Sequence, residues 1–122
     1  MFFSSKVVSG KKLGRTIGFP TANLHVDASV ALPENGVYAA RVVVGGQQYS
    51  AMAYIGTRPT VDLGGGVLVE VSIMDFDSDI YGSQIQVELV AFIRGEQKFD
   101  SLEQLREQIM LDKKRIVEVL GL

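Results

Sequence analysis

The chain has no cysteine, no tryptophan and a single histidine, His25. Without cysteine there is no disulfide and no thiolate metal site. One histidine cannot make a histidine cluster, and His25 is expected at the surface. No apolar run approaches the ~20 residues that a membrane-spanning helix needs, so no membrane partner is expected. The opening Met1-Phe-Phe-Ser-Ser-Lys6 places its cation after the apolar pair and is too short for a signal peptide. These absences together point to a cytoplasmic protein. Acid is missing from the start of the chain: the first carboxylate is Asp27, and Lys6, Lys11, Lys12 and Arg15 precede it. That +4 segment sits in a chain of net charge −2, so the remainder carries −6. A nucleic-acid footprint needs more cations and a basic balance, and no nucleic-acid partner is expected. Four cations set among glycines better suit one small polyphosphate, although such asymmetry also fits a solvated surface. The length of 122 residues implies one domain, residues 1–122.

What is present reads as strands followed by a helix. Short β-strands are expected at residues 4–8, 37–44, 48–55, 67–76 and 84–93, from β-branched content and alternation. Gly45-Gly46 is a two-residue hairpin signal. Leu102, Leu105, Ile109, Ile116 and Leu120 fit one helical face. Asp100 with Glu103, or Ser101 with Gln104, could form a capping box. Lys113, Lys114 and Arg115 fall toward the helix end, where cations suit the dipole. Strands with short connections cannot make parallel βαβ units. The expected fold is therefore mainly β, an antiparallel barrel or sandwich closed by a C-terminal helix.

The chemistry concentrates in Gly10-Lys-Lys-Leu-Gly14-Arg15-Thr-Ile-Gly18-Phe-Pro20-Thr21-Ala22-Asn23-Leu24. Glycine lets a ligand approach the backbone amides, and amides with fixed cations make a phosphate cradle. The pattern is neither a Walker A loop nor a Rossmann fingerprint. If the chain stays extended after Pro20, Thr21 and Asn23 project to one side as two hard, uncharged oxygens. Magnesium takes one or two such protein oxygens and completes its shell with water and phosphate. The same side chains could instead satisfy nearby backbone groups. Glu70 shares a strand face with Leu68, Ser72 and Met74. Apolar neighbours of that kind suit a general base, and a solvent-facing strand glutamate is the alternative. Asp75, Asp77 and Asp79 look like the opening of a calcium loop. Ile80 and Gln86 stand where that loop needs glycine and glutamate, so it is rejected. Arg94 reads as a solvated strand-end residue.

Taken together, the segments resemble the riboflavin kinase domain found at the C-terminal end of bacterial bifunctional FAD synthetases. The matching pieces are Val7 to Leu24 with its Gly-Phe-Pro-Thr-Ala-Asn core, Leu32 to Tyr38, Ile55 to Thr60, Val69-Glu-Val71, Asp75-Phe76 with Tyr81-Gly82, and Arg94 to Leu102. The resemblance implies an antiparallel Greek-key barrel of about six strands with a C-terminal α-helix. It implies transfer of the ATP γ-phosphoryl group, with Mg2+, to the ribityl 5′-hydroxyl of riboflavin, giving FMN and ADP. A non-catalytic flavin- or nucleotide-binding barrel is the alternative. By position, Gly10, Arg15, Gly18, Thr21 and Asn23 match nucleotide-binding residues, with Thr21 and Asn23 also holding the metal. Glu70 matches the catalytic base, and Asp75, Tyr81 and Arg94 fall in flavin-binding segments. The loop from Arg58 to Gly66 matches a second flap. Two positions depart from the family pattern: Ser72 replaces a common histidine, and Tyr54 a common asparagine. An FMN adenylyltransferase domain, usually fused upstream, is absent from this chain.

Overall fold

Alternation of apolar residues along the strands closes a barrel in the computed structural model, which describes residues 1–11, 21–26, 30–57, 67–76 and 80–121. Among these residues the strands are β1 (Phe2–Lys11), β2 (Thr21–His25), β3 (Gly36–Val44), β4 (Gln47–Thr57), β5 (Val67–Ile73) and β6 (Gln84–Arg94), followed by helix α1 (Leu102–Leu120). All neighbours are antiparallel, in the closed order β1-β2-β5-β4-β3-β6. The meander β3–β4–β5 is inserted between β2 and β6, and β1 completes the circle. One face of each strand fills the interior, where Val7, Leu24, Val42, Ile55, Val69, Val71, Ile85 and Val87 are buried.

A second apolar layer lies outside the wall. Ile116 and Leu120 of α1 pack on Val37, Ala39 and Met52, and Ile109, Tyr54, Met74, Ala91 and Ile93 border the patch. The helix thus covers the outer face of β3, β4 and β6. Ser101 caps it: the hydroxyl accepts from Gln104 N at 3.1 Å, while Gln104 Oε1 accepts from Asp100 N at 3.1 Å. The Ser101/Gln104 alternative is the one realised. Gly121 ends the helix at φ 73°, donating to Val117 and Glu118 carbonyls, a left-handed stop that glycine tolerates.

The structure corrects several boundaries. Thr21–His25, outside the strands expected from the sequence, is a full strand, because β1 and β5 bind its backbone from both sides. β1 extends from Phe2 to Lys11 rather than over residues 4–8, since β6 pairs its first half and β2 its second. β5 stops at Ile73, where Met74 N turns to donate to Ser50 O at 2.8 Å and Asp75 takes φ 54°. Leu102, expected on the packed helix face, is half exposed. Lys113, Lys114 and Arg115 precede the last turn, which carries no basic residue. The Gly45-Gly46 hairpin is present, with φ of 57° and 83°, and His25 is exposed. No described helix is long and apolar enough to cross a membrane.

Candidate active site

Residues opposite one another in paired strands share a face. Asn23 of β2 pairs with Glu70 of β5, Glu70 with Tyr54 of β4, Tyr54 with Val37 of β3, and Val37 with Arg94 of β6. Leu24, Val69, Val71, Ala53 and Ile55, which flank this row along the strands, all point into the barrel. The row therefore lies on the outer wall. It runs from Asn23, through Glu70 at the middle of β5, to the part of the wall covered by α1.

Thr21 and Asn23 fall on the same side of β2, and the structure brings both to Glu70. The Thr21 hydroxyl donates to Glu70 Oε2 at 3.3 Å. Asn23 is opposite Glu70 in register and 9% exposed. Glu70 itself is half-buried, and Ser72, two residues further on the same face, is 2% exposed. The carboxylate thus stands between two hard-oxygen side chains on β2 and an aromatic ring on β4. The backbone of Lys11 pairs with Thr21 and that of Gly10 with Ala22. Both ends of the glycine-rich segment are accordingly anchored beside Thr21. Residues 12–20, which include Arg15 and Gly18, and the 58–66 segment lie outside the described residues.

On the other side of Glu70, the Tyr54 ring folds back over Gly56. A Cβ added at Gly56 would fall 2.5 Å from Tyr54 Oη. The phenol donates to Glu96 Oε1 at 2.6 Å. Burial, then this hydrogen bond and the charge of Glu96, push the Tyr54 phenol up to about 12. Sequence reasoning treated Tyr54 only as a departure from a pattern. Its partner lies 42 residues away in the chain, so no local signal could have named it.

Arg94 is not solvated. Its Nε donates to both carboxylate oxygens of Asp112, at 2.9 and 3.0 Å, and its Nη2 lies 2.9 Å from Asp112 Oδ2. Gln108 Nε2 donates to the same carboxylate at 3.0 Å. Asp112 is 2% exposed, and the ion pair it forms ties the end of β6 to α1. Arg94 Nη1 also donates to Gly95 O, and the guanidinium lies 5.7 Å from the Phe99 ring centroid. Asp75 is exposed on the turn after β5, and its charge acts on Lys113 of α1, whose ammonium burial holds below the usual lysine range. Tyr81 is 71% exposed on the turn before β6, where Gly82 N donates to Val7 O at 2.8 Å. Of the sequence-derived candidates, Thr21, Asn23 and Glu70 form one compact group. Arg94 and Asp75 both border α1, and Tyr81 stands on the β1 side.

The profile of a family described as "Flavokinase: Riboflavin kinase" matches residues 1–120. The bifunctional riboflavin kinase/FMN adenylyltransferase of Escherichia coli (strain K12) is 47% identical over 120 residues, covering 98% of this chain and 38% of that protein. The chain spans little more than a third of the length of the bifunctional relatives first matched. Among solved structures, a Streptococcus pneumoniae protein described as a macrolide-efflux protein superposes with a TM-score of 0.85 at 42% identity, over 93% of this chain and 37% of that one. The riboflavin kinase of Trypanosoma brucei superposes with a TM-score of 0.71 at 28% identity, over 98% of this chain and 79% of that one.

Proposed function

This chain belongs to the riboflavin kinase family, and from that premise we propose that it transfers the γ-phosphoryl group of ATP to the ribityl 5′-hydroxyl of riboflavin, giving FMN and ADP. The observation that carries the reading is the Thr21–Glu70 hydrogen bond across two adjacent strands, with Asn23 opposite Glu70 in register. Phosphoryl transfer asks for positioning, charge neutralisation and one proton acceptor. This row has a carboxylate with the Thr21 hydroxyl and Asn23 amide on one flank and the Tyr54 phenol, engaged by Glu96, on the other.

Glu70 takes the proton of the 5′-hydroxyl. The freed oxygen attacks the γ-phosphorus in line, the bond from that phosphorus to the β–γ bridging oxygen breaks, and ADP leaves. Glu70 then returns its proton to solvent. The Thr21 hydroxyl, donating to Oε2, orients the carboxylate toward the acceptor alcohol. Gly10, Arg15 and Gly18 serve the nucleotide phosphates. The donor set of hydroxyl, amide carbonyl and nearby phosphate fits Mg2+, which prefers few protein ligands; Thr21 and Asn23 would hold it. When bound, the ion neutralises charge on the β- and γ-phosphates. The nucleotide therefore occupies the β2 side of Glu70. Asp75, Tyr81 and Arg94 serve the flavin, Arg94 by way of its anchored strand end. The proposal covers the kinase step alone, and a fused FMN adenylyltransferase domain is the proposed natural neighbour.

The test is FMN and ADP formation by the purified chain from riboflavin and ATP, with magnesium and with a chelator. One FMN per ADP, only with the metal, is expected. Flavin binding without ADP release would overturn the reading in favour of a non-catalytic binding module.

A further inference from the structure

The connection between β6 and α1 is pinned at three points. Arg94 is clamped by Asp112 at its start, Phe99 receives the guanidinium near its end, and Glu96 between them accepts the Tyr54 phenol. The first contact holds the start of the connection to the helix, and the second draws its two ends together. The third holds it to the barrel wall beside Glu70, because Tyr54 is the strand partner of Glu70. The ring can reach Glu96 because Gly56 leaves the space over which it folds.

We propose that Tyr54 is a specificity-determining positioning residue, which latches the β6–α1 connection against the wall through Glu96 and so sets the width of the acceptor side of the site. The inference rests on the kinase reading above, with the nucleotide on the β2 flank of Glu70. An alcohol presented to Glu70 must then extend its remaining bulk over β4, alongside the joined Tyr54 ring and Glu96 segment. With the latch made, that side has a fixed width. With it broken, the connection loses this side-chain tie to the wall beside Glu70, and the acceptor is held less well. The donor flank is left as it was.

The experiment is steady-state kinetics on Tyr54→Phe, Glu96→Ala, Glu96→Gln, the Tyr54→Phe/Glu96→Ala pair and Gly56→Ala. Loss of a hydrogen bond to a charged acceptor predicts a KM for riboflavin raised roughly tenfold in Tyr54→Phe and Glu96→Ala. The KM for ATP should stay within about twofold, a split that general destabilisation would not give. Glu96→Gln keeps an acceptor oxygen and should recover most of the loss seen in Glu96→Ala. The double variant should be no worse than either single one. Gly56→Ala displaces the ring without touching either partner, and should reproduce Tyr54→Phe. An unchanged riboflavin KM in Tyr54→Phe, additive effects in the pair, or no rescue by glutamine would each overturn the latch. If Tyr54→Phe fails to fold, the Glu96→Ala and Glu96→Gln comparison decides alone. A wild-type chain that makes no FMN would instead sink the kinase reading.

Discussion

Thr21 and Asn23 are uncharged, and that decides how this site would treat a metal. Neutral oxygens bind magnesium too weakly to keep it without phosphate, so metal and nucleotide should arrive together. Thr21→Ala and Asn23→Ala should therefore shift the magnesium concentration that supports ADP binding upward by roughly tenfold, read by calorimetry at stepped magnesium; coincident titrations would remove both residues from the metal. Tyr54 gives a pH-dependent signature. Its phenol ionises at about 12 in the fold against an ordinary value of 10.0. Its contribution to stability is complete below pH 10 and is lost as the pH climbs through about 12. In a phenolate absorbance titration, the component with a midpoint of about 12 should vanish in Tyr54→Phe; its persistence would contradict the assignment. At this scale spacing put Thr21 with Asn23, and Glu70 with Leu68, Ser72 and Met74, on shared faces, and the family resemblance rather than alternation singled them out. The sequence could not carry Asp112, since a helical aspartate reads as solvated until Arg94 arrives from another element.

Helix α1 and β2 show what elements add to residues. The helix is held by apolar packing at Ile116 and Leu120 and by the Arg94–Asp112 pair, whose side chains are 19% and 2% exposed. Removing one member of such a buried pair leaves the other charge uncompensated and costs about 3–5 kcal/mol. Asp112→Ala should lower the denaturation midpoint accordingly, and Asp112→Asn by less, because an amide still accepts from the guanidinium. A loss under about 1 kcal/mol in Asp112→Ala would show the pair to be a solvated surface bridge. The helix was legible from its period and cap. β2 was not, because glycine, proline and cations dominate the segment before it. Its strand character comes from neighbours on either side, which is tertiary information.

At the scale of the molecule, the barrel converts a linear order of strands into a sidedness. Inserting the β3–β4–β5 meander between β2 and β6 puts Glu70 next to Thr21 and Asn23 on one flank and Tyr54 on the other. The architecture of strands then helix could be read from alternation and helical period, while the order of strands around the barrel could not, since antiparallel strands of similar length pair in several ways. On the proposed kinase reading, this sidedness sets Glu70 as the proton acceptor between donor and acceptor substrates. The most direct measurement is single-turnover FMN formation by Glu70→Gln, with riboflavin and magnesium ATP saturating. The account predicts flavin affinity within a few-fold of wild type and a chemical step slowed by ~10²–10⁴-fold, whereas turnover at the wild-type rate would contradict it.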